Sequence, residues 1–274
     1  MAKSIIISLI QCEILPELEK VDANVAQMIE YARKDNPDLI MLPEKWRSVY
    51  PKEQFYETIE KERGHSYKLL KDLAIQHEVY IITGGIWEER ENKSRFITSY
   101  VFDTHGKEVG RQDKLHLYSY EPSIFTPGTC LNIFTHDPTN TQFTVLICFD
   151  VAFFETPRLA VEEGAELLLS PTLIRSDGVY NWNIYLQARA LENRVPIAAC
   201  NPVGNLFGNT YLGQSKIISF KRGHHSPSIL NVNECDMSKQ AILTQKINIS
   251  FPNTLRKARL AEQRDKSSIK IVKS

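Results

Sequence analysis

The chain has little to build a disulfide framework with. Its five cysteines, Cys12, Cys130, Cys148, Cys200 and Cys235, are odd in number and widely spaced, with no CxxC pair. That pattern argues against paired bridges and against a structural zinc site, and it suits a reducing compartment. Excess charge is also missing. Lysine plus arginine and aspartate plus glutamate number 33 each, so no global field draws the chain to nucleic acid or to an anionic membrane. No apolar run approaches the roughly 18 residues that a membrane span needs. The opening Met1–Ile10 carries one lysine and a brief apolar run broken by Ser8, with no small-residue cleavage site after it, so it reads as a first strand rather than a signal sequence. Neither a Pro/Gly/Ser linker, a composition break nor a fixed-period repeat divides the 274 residues. The expectation is one cytoplasmic globular domain over 1–274, long enough to bury a substantial core.

What is present is an alternation of short apolar strands and amphipathic helices. Residues 4–12 read as a strand. Leu18, Val21, Val25, Met28 and Ala32 then recur at helical spacing. Strands are expected at Leu39–Leu42, Val79–Thr83, Phe96–Phe102, Glu166–Ser170, Pro196–Cys200, Lys216–Phe220, Ser228–Val232 and Ala241–Ile249. Helices are expected over about Ser66–His77, Pro157–Glu163 and Tyr180–Arg194, with Thr156-Pro157 read as an N-cap followed by proline at the first helical position. Asp103-Thr-His-Gly106 reads as a hairpin turn. Helices between strands, with hairpins interspersed, give an α/β protein with mixed sheets. From about residue 255 the chain is polar and carries several basic residues, which reads as a solvated or partner-docking tail.

Three residues stand where chemistry is expected. Cys148 closes the apolar run Val145-Leu-Ile-Cys just before a helix, and a strand's C-terminal mouth is where α/β proteins place reacting groups. Taken alone, a cysteine on an apolar strand is more often core than nucleophile. Glu44 follows Leu39-Ile-Met-Leu-Pro, at a strand end where burial would raise a carboxyl toward the range of a general base; the plain alternative is a surface-loop glutamate. Lys114, flanked by Leu115 and Leu117, suits an inward ammonium able to hold a developing oxyanion. His116 is the tempting partner for a Cys–His pair, but a lone histidine usually satisfies a structural hydrogen bond, and that reading is preferred.

Glu44 in Leu-Pro-Glu, Lys114 in Asp-Lys-Leu-His-Leu and Cys148 in Ile-Cys-Phe-Asp resemble, in order and spacing, the Glu–Lys–Cys triad of the nitrilase superfamily, the carbon–nitrogen hydrolases. The resemblance extends through Gln11, Gly84-Gly85, Glu121-x-x-x-Phe125-x-Pro127-Gly128, Phe154-Glu155, Leu169-Ser170-Pro171, Gln187–Asn193 and Asn201-Pro-Val-Gly204, covering about residues 4–250. It implies a four-layer α-β-β-α sandwich with two mixed β-sheets. It also implies hydrolysis of a small amide, or less readily of a nitrile or carbamoyl compound, through a thioester on Cys148, with no cofactor or metal. In that scheme Glu44 is the base, Lys114 and the Phe149 N–H hold the oxyanion, and Glu121 supports Lys114. A homodimer or larger homo-oligomer is implied as well; a silent binding scaffold is the alternative of another class. Two departures bear on substrate. Ala152 stands where the family often has arginine, and Phe153-Phe154-Glu155 replaces Phe-Pro-Glu, so the pocket reads as less polar there. Arg175 is the candidate replacement cation, and Trp182 and Asn201 are candidate pocket wall, while the rest of the Tyr180–Asn193 helix reads as scaffold with an Arg189/Glu192 pair. Loops 47–60, 118–128 and 172–180 are expected to set specificity.

Overall fold

The computed structural model describes residues 2–48, 56–206 and 208–273. In chain order the strands and helices are β1 (Ser4–Gln11), α1 (Leu18–Arg33), β2 (Leu39–Met41), β3 (Glu60–Lys61), α2 (His65–His77), β4 (Tyr80–Ile82), β5 (Ile86–Glu89), β6 (Arg95–Phe102) and β7 (Glu108–Asp113). There follow β8 (Ile133–His136), β9 (Thr141–Val145), α3 (Glu155–Glu162), β10 (Leu167–Pro171), α4 (Val179–Asn193), β11 (Ile197–Cys200), β12 (Val203–Leu206), β13 (Asn209–Leu212), β14 (Lys216–Phe220), β15 (Leu230–Glu234), β16 (Ala241–Asn248) and α5 (Ser250–Ala261).

Strand periodicity sorts side chains into layers. Along β1, Ile5, Ile7 and Leu9 point into one apolar cluster while Ile10 enters another, because successive side chains leave a strand on opposite faces. The same split recurs in β10, where Leu167 and Leu169 face inward and Leu168 outward, and in β11, where Ala198 and Cys200 oppose Ile197 and Ala199. The inner cluster joins β1, β2 and β4 to β9, β10, β11 and β14, so it lies between two sheets. The outer face of the first sheet packs on α1 and α2, and that of the second on α3 and α4. The architecture is the α-β-β-α sandwich.

Both sheets are mixed. One has eight strands, ordered β16-β1-β2-β4-β6-β5-β3 with β7 beside β6; the other has six, ordered β15-β14-β11-β10-β9-β8. At their centres β1, β2 and β4 run parallel, as do β9, β10 and β11. The C-terminal ends of β2, β4, β9 and β10 carry the Glu44, Gly84-Gly85, Cys148 and Thr172 segments, and the Glu44 N–H donates to the Thr172 carbonyl at 3.1 Å across the gap between the sheets.

Three expectations change. The β9 ladder ends at Val145, and Cys148–Ala152 forms a 3₁₀ turn, because the Ile147 N–H donates to the Asp150 carboxylate at 2.9 Å instead of continuing the ladder. Helix α3 starts at Glu155, so Thr156 is not its cap; Pro157 sits in the first turn, where an N–H has no intrahelical partner to lose. The segment from 255 begins inside α5, with Leu255 and Arg256 buried and Arg256 Nη1 donating to the Ala165 carbonyl at 2.5 Å. Its basic residues hid a packed face. Among the described residues no helix is long and apolar enough to cross a membrane.

Candidate active site

Glu44 is placed by the turn after β2 and by two glycines. A Cβ at Gly85 would stand 2.7 Å from Glu44 Cγ, and one at Gly84, which has φ +72°, would stand 2.0 Å from the Pro43 carbonyl oxygen. Only glycine lets the chain after β4 pass this close beneath the glutamate. Glu44 is 2 % exposed.

Lys114 follows β7. Its N–H donates to the Ile97 carbonyl at 2.9 Å and its carbonyl accepts from the Gly128 N–H at 2.8 Å, which turns the side chain inward. The ammonium donates to Glu44 Oε1 and to Glu121 Oε1, each at 2.9 Å. Glu121 opens a short 3₁₀ turn, and its Oε2 accepts from the Tyr118 N–H at 2.7 Å. Burial alone would lower the Lys114 ammonium, but Glu44, the Cys148 sulfur and Glu121 together hold it well above its ordinary value. Burial also raises the Glu121 carboxyl, with Lys114 opposing.

Cys148 has φ +50°. A left-handed cysteine costs about 1–3 kcal/mol, and the surrounding structure must hold it there. Asp150 does much of this. Its fully buried carboxylate accepts from the N–H groups of Ile147 at 2.9 Å, Leu115 at 3.2 Å and His116 at 2.8 Å, and lies 3.0 Å from His116 Nδ1. One side chain therefore fastens the cysteine turn to the segment bearing Lys114. Arg189 secures the other side of the turn, donating through Nε to the Val151 carbonyl and through Nη2 to the Ala152 carbonyl, both at 2.9 Å. Burial and the Glu44 carboxylate push the Cys148 thiol well above its ordinary value, against the pull of Lys114. Both effects favour the thiol over the thiolate.

Cys148 borders two cavities. The larger, of about 490 Å³, is also lined by Glu44, Glu121, Tyr118, Tyr120 and Tyr211; the smaller, of about 240 Å³, by Phe149, Val151, Ala152, Ile174, Trp182 and Tyr185. Arg175 borders both, with its guanidinium on Asp177 at 2.9 and 3.1 Å. Glu44, Lys114, Glu121, Cys148, Phe149, Arg175 and Trp182 are thus brought to one place. Asn201 lines neither cavity: its amide bonds Ile174 N–H and the Gly213 carbonyl, at 2.8 and 2.9 Å, and holds the 172–175 loop. Residues 49–55 of the expected specificity loop lie outside the described residues.

Sequence reasoning assigned no role to Asp150, to the Arg189 contacts with the cysteine turn, or to Lys45. Lys45 is buried beside Glu44, its Nζ 2.8 Å from the centre of the Trp87 ring; burial pulls its ammonium well below the ordinary value, with Glu44 and Glu121 opposing. The Ile-Cys-Phe-Asp motif contained Asp150 but gave no sign of what it would bind. His116 bonds Asp150 and stacks on Phe153 at 4.0 Å, a structural role.

Residues 6–222 match the carbon-nitrogen hydrolase family. The chain is 30% identical over 216 residues to the omega-amidase NIT3 of Saccharomyces cerevisiae, covering 72% of this chain and 73% of that one. It is 28% identical over 249 residues to a probable nitrilase of Schizosaccharomyces pombe, covering 90% and 88%. The crystal structure of Saccharomyces cerevisiae Nit3, a member of branch 10 of the nitrilase superfamily, superposes with a TM-score of 0.83 at 23% identity over 97% of each chain. With the fold and the match across most of its length in agreement, the chain belongs to the carbon-nitrogen hydrolase family and is a hydrolase of the amidase/nitrilase type.

Proposed function

We propose that the chain hydrolyses a small carboxamide through a thioester on Cys148. Glu44 takes the thiol proton as sulfur attacks the carbonyl carbon. The tetrahedral oxyanion is held by the Lys114 ammonium and the Phe149 N–H. As the C–N bond breaks, Glu44 passes the proton to the departing nitrogen, and ammonia or an amine leaves. Glu44 then takes a proton from water, whose oxygen attacks the thioester. When the C–S bond breaks, the acid is released and the proton returns to sulfur.

The observation that carries this reading is the buried Lys114 ammonium bonded to two carboxylates beside a strained cysteine. Because burial and Glu44 disfavour the thiolate, attack needs a base; Glu44 and Glu121 both face the cavity and bond Lys114, but Glu121 spends its second oxygen on the Tyr118 N–H, which leaves Glu44 for the proton. An omega-amidase among the relatives supports amide as the substrate class; the relative named a probable nitrilase keeps nitriles in the test.

The chain is read as one catalytic domain in the cytoplasm, where its five free thiols would stay reduced. A homodimer is supported by apolar residues exposed on α3, α4 and the segments leading into them, Phe154, Leu159, Tyr180 and Ile184. The test of the activity is ammonia release from a panel of amides, carbamoyl compounds and nitriles, each beside a Cys148→Ala control. Release from amides that vanishes in the control supports the reading. Release from nitriles alone, or release that survives the control, contradicts it.

A further inference from the structure

Cys148 is a partition between two unlike spaces. Glu44 borders the larger cavity and not the smaller. Because Glu44 is the group that protonates the departing nitrogen in the reading above, on which this inference rests, the leaving group must lie in the larger cavity. The acyl group, on the far side of the carbonyl carbon, then faces the smaller one.

That smaller cavity is lined mostly by apolar side chains, with Arg175, Asp177 and Asn181 as its charged and amide members. Phe149, Val151, Ala152, Ile174, Trp182 and Tyr185 present mostly carbon, and Trp182 is 2 % exposed. Arg175 is the one cation among the described residues that line either cavity, and Asp177 occupies it through both Nε and Nη2. Arg189, directly behind the wall, spends its guanidinium on the carbonyls of Val151 and Ala152 and on Glu192. A substrate carboxylate placed here would give up hydration and meet, among the described lining residues, only Arg175, whose Nε and Nη2 already bond Asp177. A cavity of about 150 Å³ is enough to take up benzene, so about 240 Å³ admits a ring on a short linker.

We propose that the cavity walled by Phe149, Ala152 and Trp182 is an acyl subsite for a compact, uncharged apolar group, so that the preferred substrates are aryl- or branched-alkyl carboxamides rather than monoamides of dicarboxylic acids. Ala152 sets its depth. A leucine there removes room for the ring, and an arginine adds a second cation to the one that Arg175 provides.

The test compares kcat/KM of the full chain for phenylacetamide, isobutyramide, acetamide and glutaramate. Phenylacetamide should exceed glutaramate by roughly 100-fold or more, the scale on which unmatched polar groups are rejected. Ala152→Leu should lower the phenylacetamide-to-acetamide ratio roughly tenfold through KM, and Ala152→Arg should move preference toward glutaramate. Glutaramate as the better substrate, or a ratio unmoved by Ala152→Leu, overturns the proposal. A second measurement does not depend on turnover: calorimetric binding to the Cys148→Ala variant, where phenylacetamide should bind more tightly than glutaramate and lose that advantage when Ala152→Leu is added. The reverse order overturns the subsite. The expected order without turnover of any amide supports the subsite and removes the amidase mechanism instead.

Discussion

Lys114 places one ammonium 2.9 Å from Glu44 and 2.9 Å from Glu121, fully shielded from solvent. Two carboxylates share this one ammonium by hydrogen bonds, with the buried Lys45 beside Glu44. Replacing Lys114 by methionine should therefore do more than remove an oxyanion donor. Leaving buried carboxylates without their partner costs about 3–5 kcal/mol at neutral pH. The sign of the pH dependence follows. Glu121 already has a raised folded-state value, and losing the cation raises it further, so the penalty is full at high pH and shrinks as acid neutralises Glu121 in the folded state. Urea unfolding of Lys114→Met should show a smaller deficit against wild type at pH 5 than at pH 8. A deficit independent of pH contradicts the assignment.

Asp150 ties the cysteine turn to the Lys114 segment through three backbone N–H groups. Hydrogen bonds to a charged acceptor contribute about 1.5–3 kcal/mol each. Asp150→Asn keeps the shape and weakens the acceptor. Steady-state kinetics should show kcat falling roughly 10- to 100-fold with little change in KM, since a misplacement near 1 Å carries a cost of that order. A change confined to KM would mean that the carboxylate bears on substrate rather than on the turn.

Gly85 gives a test of how closely Glu44 is held. Its φ is unremarkable for a side chain, yet a methyl would collide with Glu44 Cγ at 2.7 Å. Gly85→Ala should fold, displace Glu44, the proposed base, and cut kcat by roughly 100-fold. Wild-type activity from this variant would show that Glu44 has room to move.

Cys148 is held above its ordinary value by burial and by Glu44. Its alkylation should therefore climb with pH beyond the range of an ordinary thiol. The rate profile with iodoacetamide, followed by peptide mass spectrometry, checks this. A plateau below pH 8 would mean that Lys114 outweighs Glu44. The finding also alters what a reactive cysteine means here: a fast reaction at pH 7 would require Glu44, so Glu44→Gln should slow it.

The layers were legible because two-residue alternation is written plainly in segments such as Ile5–Ile10 and Leu167–Leu169. The residues that cluster at the cavity were legible because Glu44, Lys114, Glu121 and Cys148 each sit in a distinctive short motif at an element's end. What escaped were residues whose work is done through distant backbone. Arg189 pairs with Glu192 as its helical spacing suggested, at 3.0 Å, but nothing in that spacing points to Val151 and Ala152. Asn201 suggested a pocket wall by its motif, whereas its amide is consumed in holding the loop that carries Arg175. The α5 helix escaped because its buried Leu255 and Arg256 are flanked by solvated charges, and burial of a guanidinium is invisible without its partner carbonyl.

The most direct test of the account is the covalent intermediate itself. The full chain, mixed with its best amide and quenched in acid within a turnover, should show by intact mass the added acyl group, mapped to Cys148 and sensitive to hydroxylamine. Glu44→Gln should not release that adduct at the wild-type rate, because the same carboxylate activates water. Product formed at full rate with Cys148 unmodified in every quench, or an adduct mapped to another residue, would contradict the thioester mechanism.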